Sequence, residues 1–108
     1  QTLKNYEFFD APCVVIITSP KNLGSYGLLD CGAFITALTL AATAIGIASI
    51  PQAAIAGVAP VVREFLGLSS TRDIVCAVSL GYPDVNNPVN KFRTTRANEQ
   101  YLIKENIT

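Results

Sequence analysis

Lys91, Arg93 and Arg96 place three of the chain's eight basic residues within six positions. In an extended segment alternate residues point the same way, so Lys91 and Arg93 form a pair able to hold an anion, and an arginine fork suits phosphate. Composition alone favours the plainer alternative, a solvated surface loop. A second candidate is Pro51-Gln52-Ala53-Ala54. Its small side chains would admit a flat ligand close to backbone N–H groups; without a glycine fingerprint, the competing reading is a simple connection. Cys13, Cys31 and Cys76 are odd in number, widely spaced and set in apolar runs. They read as reduced, buried thiols of a cytosolic protein, with no disulfide framework, zinc site or activated nucleophile. Asp10 and Asp30 are isolated carboxylates, and Asp30 suits the first turn of a helix, where the dipole favours negative charge. The chain has no His, which removes the usual imidazole base and the commonest transition-metal ligand. Zero formal charge argues against a polyanion-binding surface, and four scattered tyrosines make no stacking platform for nucleic acid. No complete catalytic constellation remains. The mechanism left is borrowed chemistry, in which a bound cofactor does redox work and the protein orients it.

These candidates need a scaffold, and 108 residues suit a single domain. The chain is 50% hydrophobic and 15% charged, a high apolar content for a free-standing soluble domain. It opens at Gln1 without Met or a signal-peptide pattern, and the expectation is a segment cut from something longer. Cys13 to Ile17 is an unbroken β-branched run after Pro12, predicting a strand covered on both faces and ended by the turn residues of 19–24. From Ser25 to Ala44 the period becomes helical. Leu28, Cys31, Ile35, Leu38, Ala42 and Ile45 make one apolar stripe, and Ala33, Ala37, Ala41 and Ala44 a second stripe of small side chains. Gly46-Ile47 reads as a helix C-cap with its hydrophobic latch. Residues 47–50 suit a short extended piece.

Pro60 to Leu66 predicts a short helix ended by Gly67. Its apolar face would be Val61, Val62, Phe65 and Leu66, opposite Arg63 and Glu64. Ile74 to Leu80 is a second buried strand. Residues 84–98 should hold little regular structure, and Tyr101 to Ile103 could pair as a tail strand.

No charge falls between Asp30 and Arg63, so a membrane span is a rival for the long helix. Thr36, Thr39, Thr43 and Ser49 dilute its hydrophobicity, Gly46 and Pro51 interrupt it, and no Lys/Arg asymmetry flanks it. Burial between protein surfaces fits better. Two strands and two helices do not close a core around so apolar a helix, and the cover must come from further residues, a second subunit, or both.

In order and spacing, the motifs resemble the carboxy-terminal half of the FMN-dependent nitroreductase family. The matching pieces are 10–17 (DAPCVVII), the helix from Asp30 to Gly46, 49–54 (SIPQAA), 62–68 (VREFLGL), 80–83 (LGYP) and 88–94 (PVNKFRT). The resemblance implies an α+β fold, part of a mixed sheet flanked by helices, with a long central dimer-interface helix. On this reading residues 1–108 are the carboxy-terminal half of one such domain, whose amino-terminal half lies outside this chain. It also implies a cytoplasmic homodimer with two FMN sites at its interface. NAD(P)H would reduce FMN and the flavin would reduce a nitroaromatic, quinone or related small-molecule acceptor by a ping-pong route, with no nucleic acid or membrane partner.

Carried over by position, Ala53 and Ala54 match residues whose backbone N–H groups face the flavin N5 region. Pro51 and Gln52 shape the same wall, and Lys91 and Arg93 match the pair that binds the FMN phosphate or ribityl chain. The resemblance favours the anion site over the solvated loop. It assigns no obligatory side-chain acid or base and no metal. The family's Arg-Ser-x-Arg phosphate motif and its Asn-containing flavin contact are absent from this sequence. The rival reading is a truncated, non-catalytic relative that acts as a dimerisation module.

Overall fold

The sheet is organised by its most apolar strand. A computed structural model describes residues 2–103. In it β1 (Cys13–Pro20), α1 (Gly24–Ala44), β2 (Ala48–Gln52), α2 (Ala59–Leu66) and β3 (Arg72–Gly81) follow in chain order, joined and flanked by short 3₁₀ segments. β3 is central and pairs antiparallel with β1 on one side and β2 on the other. A central strand has both faces covered, and Cys76 to Ser79 are buried without interruption. The architecture is α+β, as the resemblance implied.

Residues opposed across antiparallel strands share a face, so the register sorts the sheet into two sides. One side carries Val15, Ile17, Val78 and Leu80. There Ile17, Cys31 and Val78 form the core, with Ile35 and Leu38 of α1 packed against it. The predicted stripe is therefore correct at its centre. The other side carries Ala77 and Ser79 of β3 opposite Gln52 and Ile50 of β2. It is covered by the 3₁₀ turn Ala53–Val58, whose Ile55 is fully buried.

β1 runs three residues past its expected end. Arg72 holds the extension, its Nε donating to Thr18 Oγ1 at 2.8 Å, and the Lys21 N–H donates to Thr71 O at 2.9 Å. Ile17 pairs with Cys76 but Thr18 pairs with Ile74, so Val75 is the extra residue of a bulge. β1 is an edge strand and is not covered on both faces; within it only Ile17 and Ser19 are buried.

α1 ends as its sequence requires. Gly46 adopts φ 80°, its N–H donates to Thr43 O at 3.1 Å, and the Ile47 N–H reaches Ala42 O at 2.9 Å, a Schellman cap. At the other end Gly27 lets the helix close on β1, because a Cβ there would collide with Ser19 Oγ.

The expectation of all-round burial fails for this chain alone. Phe34 and Leu40 are 55% and 67% exposed, and Ala33, Ala37, Ala41 and Ala44 all face outward. With the turn before it, α1 spans 24 residues, the one helix among those described that is long and apolar enough to cross a membrane. Its Cys31–Leu38 side nevertheless packs on the sheet.

α2 keeps only part of its expected orientation: Val62 is half-buried and Glu64 exposed as predicted, but Val61 and Leu66 are exposed too. Phe65 is 87% exposed, while Arg63 turns inward, its Nη1 donating to Ser69 O at 2.6 Å and Arg72 O at 2.7 Å. Two carbonyls at the turn into β3 need a donor, and a guanidinium meets both. Asp30 lies in the second turn of α1, beyond the helix's first residues, and Cys13 is exposed. After β3 the described residues form no helix longer than the 3₁₀ turns Pro88–Lys91 and Glu99–Tyr101. Tyr101 to Ile103 joins no sheet: β1 and β2 remain its edges, and the tail's hydrogen bonds are local.

Candidate functional site

β2 delivers Pro51 and Gln52 to the start of the 53–58 turn. Pro51 sits opposite Val78 on an edge strand, where a residue without an N–H costs no ladder bond on its outer side. Pro51 and Ala53 are exposed and Ala54 is half-buried. No side chain caps the turn, so the amides of Ala53 and Ala54, at its first positions, have no acceptor within it. This is a short row of backbone donors beside small side chains and a rigid ring.

Gln52 behaves differently from its neighbours. It is 2% exposed and its side chain points into the fold. Nε2 donates to the backbone O of Asn5 at 2.8 Å and to Asn5 Oδ1 at 3.3 Å, and Oε1 accepts from the hydroxyl of Ser79, itself 2% exposed. A backbone carbonyl can only accept, so the Asn5 contact fixes which end of the amide faces which way. The network joins the 2–10 segment, β2 and β3. Sequence reasoning missed Asn5 and Ser79. The available signal was that Ser79 is the single hydroxyl in the 74–80 strand run.

Lys91 and Arg93 are exposed in the segment after β3. Arg93 Nη1 donates to Asn90 O at 2.7 Å and Phe92 O at 2.8 Å, and Nε and Nη2 have no partner among the described residues. Neither cation forms an ion pair there, and no hydrogen bond joins either of them to residues 51–54. Pro51, Gln52, Ala53 and Ala54 thus lie together along the chain, and among the described residues no hydrogen bond links Lys91 or Arg93 to them.

On the same side of the sheet as Gln52, a cleft of about 930 Å³ lies between the 2–10 segment and the start of the tail, with Asn5, Pro12, Ser79, Gly81 and Asp84 among its lining residues. At its rim Lys4 pairs with Glu7 at 3.0 Å and Asp10 at 3.1 Å, so Asp10 is not isolated. Hydrogen bonding first to Glu7, then to Asp10, holds the Lys4 ammonium above its ordinary pKa. Among the described residues no cluster of His, Cys, Asp and Glu could hold a metal.

A model of the Nitroreductase family matches residues 1–82, which takes in β1 through β3 and the 51–54 wall. The chain belongs to the nitroreductase family. It is 40% identical over 92 residues to a 4-nitrobenzoate reductase of Pseudomonas putida, covering 85% of this chain and 40% of that protein. It is 37% identical over 94 residues to the nitroreductase NfnB of Mycolicibacterium smegmatis.

Among solved structures, the FMN-dependent nitroreductase NfnB from Mycobacterium smegmatis in complex with NADPH superposes with a TM-score of 0.90 at 34% identity, covering 96% of this chain and 46% of that one. An FMN- and NADPH-dependent NfnB from sphigopyxis sp. strain HMH gives a TM-score of 0.94 at 25% identity. The chain therefore spans less than half the length of these nitroreductases. Lys91 and Arg93 lie beyond the residues that the family model matches.

Proposed function

We propose that this chain forms one wall of an FMN site in an NAD(P)H-dependent nitroreductase. The observation that supports this reading is the uncapped turn that begins at exposed Ala53 and half-buried Ala54 beside exposed Pro51, in a chain of this family. The donor set fits the group: paired amides suit the edge of a flat ring, and two cations that form no ion pair among the described residues suit a phosphate. When bound, FMN supplies the redox chemistry, passing reducing equivalents from NAD(P)H to a nitroaromatic, quinone or related acceptor by a ping-pong route.

The chain's own residues bind and orient. The Ala53 and Ala54 amides would donate to the ring, and Pro51 would bound it without offering a competing donor. Lys91 and Arg93 would hold the phosphate or ribityl chain. No side chain here serves as an obligatory acid or base.

The outer face of α1, with its alanine stripe and exposed Phe34 and Leu40, is read as the interface of a homodimer. Small side chains allow close helix approach, and an exposed apolar patch calls for cover. The protein is read as cytoplasmic, with no nucleic-acid or membrane partner. The test is NADPH oxidation coupled to reduction of 4-nitrobenzoate by protein expressed from its complete gene. Turnover that depends on FMN supports the enzyme. A dimer that gives no thermal shift with FMN identifies instead a dimerisation module that has lost the flavin.

A further inference from the structure

The side chain of Gln52 presents a problem that its place in the wall does not explain. An amide on an exposed edge strand could face solvent or ligand, yet Gln52 is 2% exposed and both ends of its amide are committed inside the fold. The partners belong to two other segments. Ser79 lies on the central strand, and Asn5 lies in the 2–10 segment, 47 residues away in sequence. The next residue, Ala53, opens the uncapped turn. Among the described residues no side-chain hydrogen bond fixes the Ala53 and Ala54 amides, so their direction is inherited from the backbone at Gln52. That backbone is held by the β2 ladder on one side and by the buried amide beneath it.

We infer that Gln52 is a positioning residue: its buried contacts with Ser79 and Asn5 set the aim of the Ala53–Ala54 amides toward the flavin ring. The inference deepens the FMN reading above and rests on it. Ser79 anchors one end to the most buried strand. Asn5 ties the other end to the segment that lines the cleft, so a displacement of residues 2–10 would be transmitted to the turn. An amide is suited to this task because one end must accept from a hydroxyl while the other donates to a carbonyl; a carboxylate would face the Asn5 carbonyl with like partial charge, and a leucine would take away both contacts and strand the buried Ser79 hydroxyl.

The test uses protein expressed from its complete gene, in wild-type form and as Gln52→Leu and Gln52→Leu/Ser79→Ala. It follows thermal midpoint, FMN content and the two-electron midpoint potential of the bound flavin. An amide donor to N5 favours the oxidised ring, whose N5 has a free lone pair, so loosening that donor raises the potential. Gln52→Leu is expected to melt lower and to hold FMN at a raised potential. The double variant, which also removes the orphaned hydroxyl, regains much of the thermal midpoint while the potential stays displaced.

If the double variant recovers both, Gln52 serves stability alone and the inference is overturned. Should Gln52→Leu prove insoluble, the double variant decides by its potential. A wild type whose FMN potential both variants share overturns the inference and leaves the FMN site standing. A wild type that takes up no FMN overturns the FMN reading, and the inference with it.

Discussion

The two faces of the sheet are built from different materials. Against α1 the contacts are dry: Ile17, Cys31 and Val78 meet, with Val15, Ile35, Leu38 and Leu80 around them. Across the sheet, Gln52 and Ser79 are buried as deeply, yet they are joined by hydrogen bonds and reach a third segment through Asn5. Apolar packing tolerates small slippage because it has no direction, whereas an amide between a hydroxyl and a carbonyl has one geometry. The face that leads into the candidate site is the directional one, and the face that holds the helix is not.

Mutations should separate the two. The largest effect on stability is expected on the dry face. Ile17→Ala removes atoms that α1 and β3 both touch, and chemical denaturation should show a loss of about 3 kcal/mol. A loss below about 1 kcal/mol would mean that the core against α1 is looser than described.

On the polar face Gln52→Leu should cost about 2 kcal/mol, because it strands the buried Ser79 hydroxyl and removes the bond to the Asn5 carbonyl. Adding Ser79→Ala should return part of that cost, since removing both members of a pair is cheaper than removing one. An additive loss in the double variant would contradict the pairing.

Leu40→Asp changes the exposed outer side of α1. It should leave the denaturation midpoint of the isolated chain nearly unchanged and shift sedimentation of the complete protein toward monomer. An unaltered dimer would show that the helix's outer face is not the interface. Smallest of all is Lys4→Gln at the cleft rim. Lys4 and its partners are exposed, and such pairs are screened, so the melting temperature at neutral pH should not move measurably. Since Glu7 and Asp10 raise the Lys4 pKa above 10.5, whatever the pairs contribute is fully present below that value. It fades only as pH rises through the raised pKa.

Much of this arrangement was legible in the residues. The β-branched run at 14–17, the apolar run at 74–80 and the Gly46-Ile47 cap each carry a local signal, and each formed the element it indicated. The inner stripe of α1 was legible at Cys31, Ile35 and Leu38 because its period is helical. What the outer side of that helix meets was not, because an all-round apolar pattern reports burial without saying against what. At α2, amphipathic spacing sends Phe65 inward, yet Phe65 is exposed, and two carbonyls beside β3 hold Arg63 instead. The Gln52–Ser79–Asn5 network depends on residues brought together across 27 and 47 positions, and no local pattern encodes such a meeting. At the candidate site, Pro51 to Ala54 lie together through chain continuity.

The most direct test of the whole account is an FMN titration of the protein expressed from its complete gene, read by quenching of flavin fluorescence, beside the Arg93→Ala variant. The account predicts saturable binding of one FMN per chain, with affinity reduced on the order of tenfold in the variant, as expected for loss of a charge-assisted contact to phosphate. Flavin fluorescence that stays unquenched at every protein concentration would contradict it.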